Sequence, residues 1–204
     1  MLMTGAGAAT VDLLSAASSG NLAEVGRLIA AGANLEQRDG QGQTPLLRAV
    51  AGNHVAVAKA LLAAGASLNA RAANQDTPWL LAGAAGRSEI IAAMLPLKPD
   101  LSLRNRYGGD ALIPACERAH VETVKLLLTS GIDVNHVNNL GWTCLLEIVI
   151  LGDGGPRHQQ VAKLVLDAGA NPNLADKDGV TPLQHARKRG QSEVAKLIAA
   201  KGGR

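Results

Sequence analysis

The stretch Thr44–Ala70, TPLLRAVAGNHVAVAKALLAAGASLNA, decides how the chain is read. The Thr44 hydroxyl suits a helix cap, and Pro45 suits the first helical position because its missing N–H would find no intrahelical acceptor there. Leu46 and Ala49 then fall on one face at helical spacing. Gly52 and Asn53 break that helix, and Val55, Ala58, Leu61 and Leu62 form the apolar stripe of a second. Gly65 ends it in the left-handed conformation that glycine adopts at little cost. Neither helix is long enough to be stable alone, so the unit must bury its apolar faces on copies of itself.

Those copies are present. The motif restarts at Thr77 in DTPWLLAGAAGR, at Asp110 in GDALIPACERAH, at Thr143 in WTCLLEIVILGD and at Thr181 in VTPLQHARKRGQ, at intervals of 33, 33, 33 and 38 residues. A second anchor runs in phase: LIAAGANLEQ, LLAAGASLNA, MLPLKPDLSL, LLTSGIDVNH and LVLDAGANPNL. Self-similarity at this period is the mark of a solenoid. Thr44–Ala70 and TPLQHARKRGQSEVAKLIAAKGG resemble ankyrin repeats, and the likeness runs from about Asp12 to the C-terminus. More narrowly, NRYGGDALIPA, VNHVNNLGWTCLLEIVILGDGGPRH and DKDGVTPLQHARKRG are similar to stand-alone bacterial ankyrin proteins. The resemblance implies an all-α ankyrin repeat solenoid of about six stacked helix-turn-helix units with connecting β-hairpin loops, working as a non-enzymatic protein-binding module.

The expected organisation is an N-terminal extension over residues 1–11, flexible or a signal-peptide remnant, followed by one domain over 12–204. Within it lie a cap at 12–36, repeats near 37–70, 71–103, 104–136 and 137–174, and a C-terminal cap at 175–204. Val50, Gly83, Cys116 and Val149 recur where a side chain would face the next repeat, and the last repeat has Arg187 there, so no further layer is expected. Asp110-Ala111 replaces Thr-Pro, with Asp an equally good cap. LPLKPD replaces the glycine turn of the third repeat, so Pro96 and Pro99 must end that helix by another route, and the junction is expected to be locally irregular.

Composition agrees with thin, repeated layers. Of 204 residues, 47% are hydrophobic, yet there is no Phe, one Tyr and two Trp, so Ala, Leu, Val and Ile must fill the core. The net charge of +3 is uneven: seven basic and seven acidic residues up to Ser102, then 13 against 10. From Arg187 onward six basic residues face one acid, Glu193, but with no aromatic to stack on bases the basic tip reads as a solvated cap rather than a nucleic-acid face. Cys116 and Cys144 have no C-x-x-C spacing, so neither a zinc knuckle nor a disulfide framework is indicated, and they fit a reducing compartment. The N-terminus has no basic residue before Arg27 and no apolar run long enough for a signal peptide or a span. A cytoplasmic location is therefore expected; Ala6-Gly7-Ala8 matches a small-residue cleavage site and keeps a periplasmic alternative open.

In the ankyrin family the loop tips and the exposed side of the first helix form a concave binding surface. Carried over by position, the resemblance marks Arg106, Tyr107, Glu117 and Arg118 in the fourth repeat, Asn139, Trp142, Ile150 and Leu151 in the fifth, and Lys177, Asp178, Lys188 and Arg189 in the last. Earlier repeats offer Gly40, Gln41, Gln43 and Ala51, then Ala73, Asn74, Asp76, Ala84 and Ala85, a blander surface. Trp, Tyr and Arg are the usual interface anchors, which favours Tyr107 and Trp142, whereas Trp79 replaces a core Leu and reads as packing. Asn138 and Asn139 suit a tight turn, and His136 suits a bridge between neighbouring loops.

The 38-residue interval places five extra residues between the two helices of the fifth repeat, in ILGDGGPRHQQ, Ile150–Gln160. Gly152 should stop the first helix, and Pro156 should start the second one early. GDGG lacks the Lys-Ser/Thr of a phosphate loop and follows no strand, and Asp153 with His158 makes only two candidate metal ligands. The expected partner-binding set is Arg106, Tyr107, Glu117, Arg118, Asn139, Trp142, Asp153, Arg157 and His158, for a partner protein held by repeats four to six. No catalytic residue, cofactor or metal is expected, and a monomer is the expected state. The alternative is a small-ligand, phosphate or metal site on the Gly152–His158 insertion.

Overall fold

The computed structural model describes residues 12–204. The extension at 1–11, with Ala6-Gly7-Ala8, lies outside the described residues. Twelve helices follow in pairs: α1 Leu13–Ser18 and α2 Leu22–Ala30; α3 Pro45–Ala51 and α4 Val55–Ala63; α5 Pro78–Ala84 and α6 Ser88–Met94; α7 Leu112–Glu117 and α8 Val121–Leu128; α9 Cys144–Ile150 and α10 Pro156–Asp167; α11 Pro182–Lys188 and α12 Ser192–Ala200. The odd-numbered helices stack in sequence order as an inner layer, and the even-numbered ones as an outer layer.

The inner helices start as their sequences dictate. Thr44, Thr77, Thr143 and Thr181 each accept the backbone N–H three residues on, at 3.2–3.3 Å. Asp110 does the same work with its carboxylate, accepting Leu112 N–H at 2.9 Å and Ile113 N–H at 3.1 Å. It is buried there, which pushes its pKa up. The layers share one continuous core in which Leu46, Leu61, Ile90, Leu112, Leu127, Leu145 and Val165 are at most 1% exposed. A side chain of this size contributes about 1.5–3 kcal/mol when fully buried. Trp79 joins that core at 1% exposure.

The connecting loops are not β-hairpins, contrary to the expectation. No strand forms among the described residues. The reversal is too tight for a ladder, because an Asx side chain takes the donors that a second strand would need. Asn138 Oδ1 accepts the N–H groups of Leu140 and Trp142 at 2.9 and 3.0 Å, and Asp39, Asn105 and Asp176 accept from positions two and four residues on in the same way. Two backbone bonds close each tip, as from Asn138 N–H to Trp142 O and from Gly141 N–H to Asn138 O. Neighbouring loops are tied by side chains and by single backbone bonds: Arg38 donates to Arg71 O, Arg71 to Arg104 O, His136 Nε2 meets Gly108 O at 2.7 Å, and the N–H groups of Ala73 and Asn139 donate to Gln41 O and Tyr107 O.

Two departures are resolved locally. In the third repeat a 3-10 turn over Leu95–Leu97 follows α6, and Lys98 takes the left-handed position at φ 53 that glycine holds elsewhere. In the fifth repeat part of the insertion becomes helix, so that α10 has 12 residues where the other outer helices have seven to nine.

The cysteines also depart from expectation. Cys116 in α7 and Cys144 at the start of α9 form a disulfide, with Cα atoms 5.6 Å apart. The sequence reading sought local cysteine spacing, whereas this pair is a stacking contact. The side chain that faces the next repeat meets the helix-start position of that repeat. At the preceding junction the same two positions hold Gly83 and Ala111 in close apposition.

Candidate functional site

The concave face is built from the loop tips and the open side of the inner helices. In the second, fifth and last repeats nine residues separate the Asx of the tip from a position on the following inner helix, and the two side chains meet. In the second repeat Arg48 Nε donates to Asp39 Oδ2 at 2.8 Å, and in the last His185 Nε2 lies 2.6 Å from Asp176 Oδ2. In the fifth repeat the pair is Asn138 and Glu147: Asn138 Nδ2 donates to Glu147 Oε1 at 2.9 Å. Here the acid has only an amide for a partner. Glu147 is 4% exposed and forms no ion pair among the described residues. Burial first, and the charge of Glu117 second, push its pKa up to about 7 against the opposing Asn138 hydrogen bond.

Glu147 lies in the wall of a cavity of about 330 Å³ between the fourth and fifth repeats, shared with Arg106, Tyr107, Glu117, Arg118, Leu140 and Leu151. Tyr107, Leu140 and Leu151 are 54%, 49% and 50% exposed, an unusual clustering of open apolar area. The Arg106 guanidinium sits 4.6 Å from the centre of the Tyr107 ring, within cation–π range. Arg118 Nη1 donates to Ala84 O at 2.6 Å, which holds its head toward the third repeat.

Four expected contact residues, Arg106, Tyr107, Glu117 and Arg118, thus line one cavity. The other five lie elsewhere. Trp142 is partly buried and packs on the core, and Asn139 sits at the fifth tip, where its backbone N–H donates to Tyr107 O and its carbonyl accepts Lys177 Nζ. Asp153, Arg157 and His158 line a separate hollow of about 300 Å³ and are largely engaged in holding the insertion down. His158 Nδ1 is 2.7 Å from Asp153 Oδ1 and its Nε2 is 3.0 Å from Glu117 O, while Arg157 Nε donates to Ala119 O at 3.1 Å. The Gly155 N–H and then His158 hold the Asp153 carboxyl below its usual range.

His158 repeats a device found along the stack. A polar side chain at the start of an outer helix reaches back to a carbonyl at the end of the preceding repeat's inner helix: His54 to Ser18 O and Arg87 to Ala51 O. Gln191 makes the corresponding reach to Val149 O and Gly152 O. No group of three or more His, Cys, Asp or Glu side chains that could hold a metal exists among the described residues. Sequence reasoning missed Glu147 and Leu140. The available signal was an acid nine residues after an Asn, where Asp39 and Asp176 are followed by Arg48 and His185.

Stacked helix pairs with a concave, side-chain-lined face define a repeat-type scaffold. The chain belongs to the ankyrin-repeat family: a family model described as ankyrin repeats (3 copies) matches residues 79–176 and 112–204, and one described as ankyrin repeats (many copies) matches 13–62. It is 50% identical over 108 residues to the putative ankyrin repeat protein YahD of Escherichia coli (strain K12), covering 52% of this chain and 54% of that protein. The chain thus spans about half the length of that relative. An ankyrin repeat domain from Acinetobacter baumannii AYE superposes with a TM-score of 0.90 at 49% identity, over 94% of this chain and 98% of that one. The ankyrin repeat protein EF0377 gives 0.89 at 39% identity, over 94% and 98%. Ankyrin-repeat folds generally serve as scaffolds for protein–protein contact. No helix among the described residues is long and apolar enough to cross a membrane.

Proposed function

We propose that the protein is a non-enzymatic interaction module that holds a partner protein on the concave face of repeats four to six. The observation that carries this reading is the cluster of half-exposed Tyr107, Leu140 and Leu151 around one charged cavity. Aromatic and Arg side chains set around open apolar area are the usual make-up of a binding hot spot. The Gly152–His158 insertion supports this surface from below, because its polar side chains are engaged within the stack. The reading includes a monomer. The buried Cys116–Cys144 disulfide favours an oxidising compartment such as the periplasm over the cytoplasm, and thiol labelling of the protein in intact cells tests that.

The test is capture of partners from the native cell by cross-linking, comparing the wild type with Tyr107→Ala/Leu140→Ala. Loss of the captured protein with an unchanged helical spectrum is the expected result. Leu97→Ala, which removes an equally exposed apolar side chain beside the third outer helix, should leave capture intact. Capture unaffected by the double substitution overturns the assignment of this face.

A further inference from the structure

We infer that the cavity between repeats four and five is a socket for a single lysine side chain of the bound protein, with Glu147 Oε2 as its principal acceptor. The inference rests on the interaction reading above and specifies the chemistry of the partner. Glu147 is 4% exposed and lies in the cavity wall. Its Oε1 is taken by Asn138, and no protein donor reaches Oε2 among the described residues. Oε2 is open to the cavity and free of any protein donor, so an incoming cation can reach it without displacing an internal bond. Glu117, in the same wall, also lacks a basic partner among the described residues.

The two arginines of the cavity do not supply that cation. Arg118 is drawn off to Ala84 O, and Arg106 lies over Tyr107 at the mouth. Acid at the floor and base at the rim suit an occupant of the same alternation: a lysine flanked by carboxylates that meet Arg106 and Arg118. An ammonium fits better than a guanidinium. Arg prefers both oxygens of one carboxylate in a bidentate fork, and Asn138 already holds one of them, whereas an ammonium can take one oxygen from each of two acids. The half-exposed faces of Tyr107, Leu140 and Leu151 offer cover for the methylene stem.

The groups facing Glu147 set the pH dependence of the socket. They are Glu117 and Arg118 from the α7 segment and Arg106 and Tyr107 from the fourth tip; on α11, His185 is held by Asp176. The ammonium binds the ionised carboxylate, and Glu147 gains its proton near pH 7, so binding should be strong at pH 8 and weak at pH 6.

The experiment records amide NMR spectra of the whole protein titrated with Nα-acetyl-lysine amide, Nα-acetyl-norleucine amide and Nα-acetyl-arginine amide at pH 8 and pH 6. The lysine probe should shift Tyr107, Asn138 and Glu147 at pH 8, and the uncharged norleucine probe should not. Glu147→Gln, isosteric and folded, should weaken the lysine probe by roughly tenfold or more, as expected for losing a charge-assisted hydrogen bond. Equal binding by Glu147→Gln, by norleucine or by arginine overturns the socket. If the lysine probe fails while partner capture still depends on Tyr107 and Leu140, the socket is wrong and the interaction face stands. A lysine probe that binds through Glu147 while capture ignores Tyr107 and Leu140 supports the socket's chemistry and overturns the face.

Discussion

The second and fifth repeats use the same slot to opposite ends. In the second, Asp39 of the loop and Arg48 of the inner helix neutralise each other. In the fifth, Asn138 orders its loop by the same two backbone bonds but offers Glu147 only an amide. The loop geometry is unaffected by the exchange, because it depends on the Asx oxygen rather than on its charge. What changes is the account of charge: one repeat pairs its acid with a base, and the other holds an acid with no basic partner among the described residues.

The junctions differ as well, and there the largest effect is expected. Repeats four and five are joined covalently through Cys116 and Cys144, whereas the second and third meet by packing and hydrogen bonds, without a covalent link. Closing a loop across 28 residues removes about 3–4 kcal/mol of unfolded-chain entropy. Reduction should lower the urea midpoint accordingly, and hydrogen exchange should accelerate at α7 and α9 well before α3 and α5. Equal loss of protection in both pairs would erase the contrast.

Glu147→Gln sharpens the comparison of charge. A carboxyl whose folded pKa is raised from an ordinary 4.5 to about 7 contributes stability that is full below pH 4.5 and lost as pH rises through 7. The substitution should therefore stabilise the protein by roughly 3 kcal/mol at pH 8 and by almost nothing at pH 4. Urea denaturation at the two pH values checks this. A pH-independent gain would mean that Glu147 is not a strained acid.

Gly83→Ala probes the junction between the third and fourth repeats. A Cβ there would stand 2.5 Å from Ala111 O and 2.8 Å from Ala111 Cβ, so backbone must move, at a cost of about 1–3 kcal/mol. A thermal midpoint unchanged by this substitution would show that this contact yields freely. The smallest effect concerns Ala119, which follows α7 at φ 50 where Gly20, Gly86 and Gly190 hold the equivalent place near φ 70. Ala119→Gly should change stability by less than about 0.5 kcal/mol, because relief of left-handed strain offsets the entropy of glycine and the loss of a buried methyl. Calorimetry checks it, and a midpoint lowered as far as by Gly83→Ala would overturn the strain argument.

The repeat phase made the stack readable, because a 33-residue period and a Thr-Pro start leave few ways to bury the stripe Val55, Ala58, Leu61 and Leu62. The early start of α10 at Pro156 and the packing of Trp79 follow from local rules in the same way. Contacts between repeats did not. Cys116 meets Cys144, and Asn138 meets Glu147, only after the chain has folded back on itself, and neither pair has a local signature. The β-hairpin expectation failed because the donors of the tips go to Asx oxygens. Tyr107 and Trp142 looked alike as aromatics on neighbouring tips; only the structure separates the exposed ring from the one that leans on the core.

The reach of each outer helix back to the preceding repeat has a bearing on insertion. Because His158 makes this reach from the first turn of the lengthened α10, the fifth repeat carries five extra residues and keeps its tether to Glu117 O. Residues added next to Asp153, ahead of that anchor, would be displayed as an extra arm without changing the pitch of the stack. The same rule makes His158, rather than any glycine of the loop, the residue that limits how much new sequence the turn can carry.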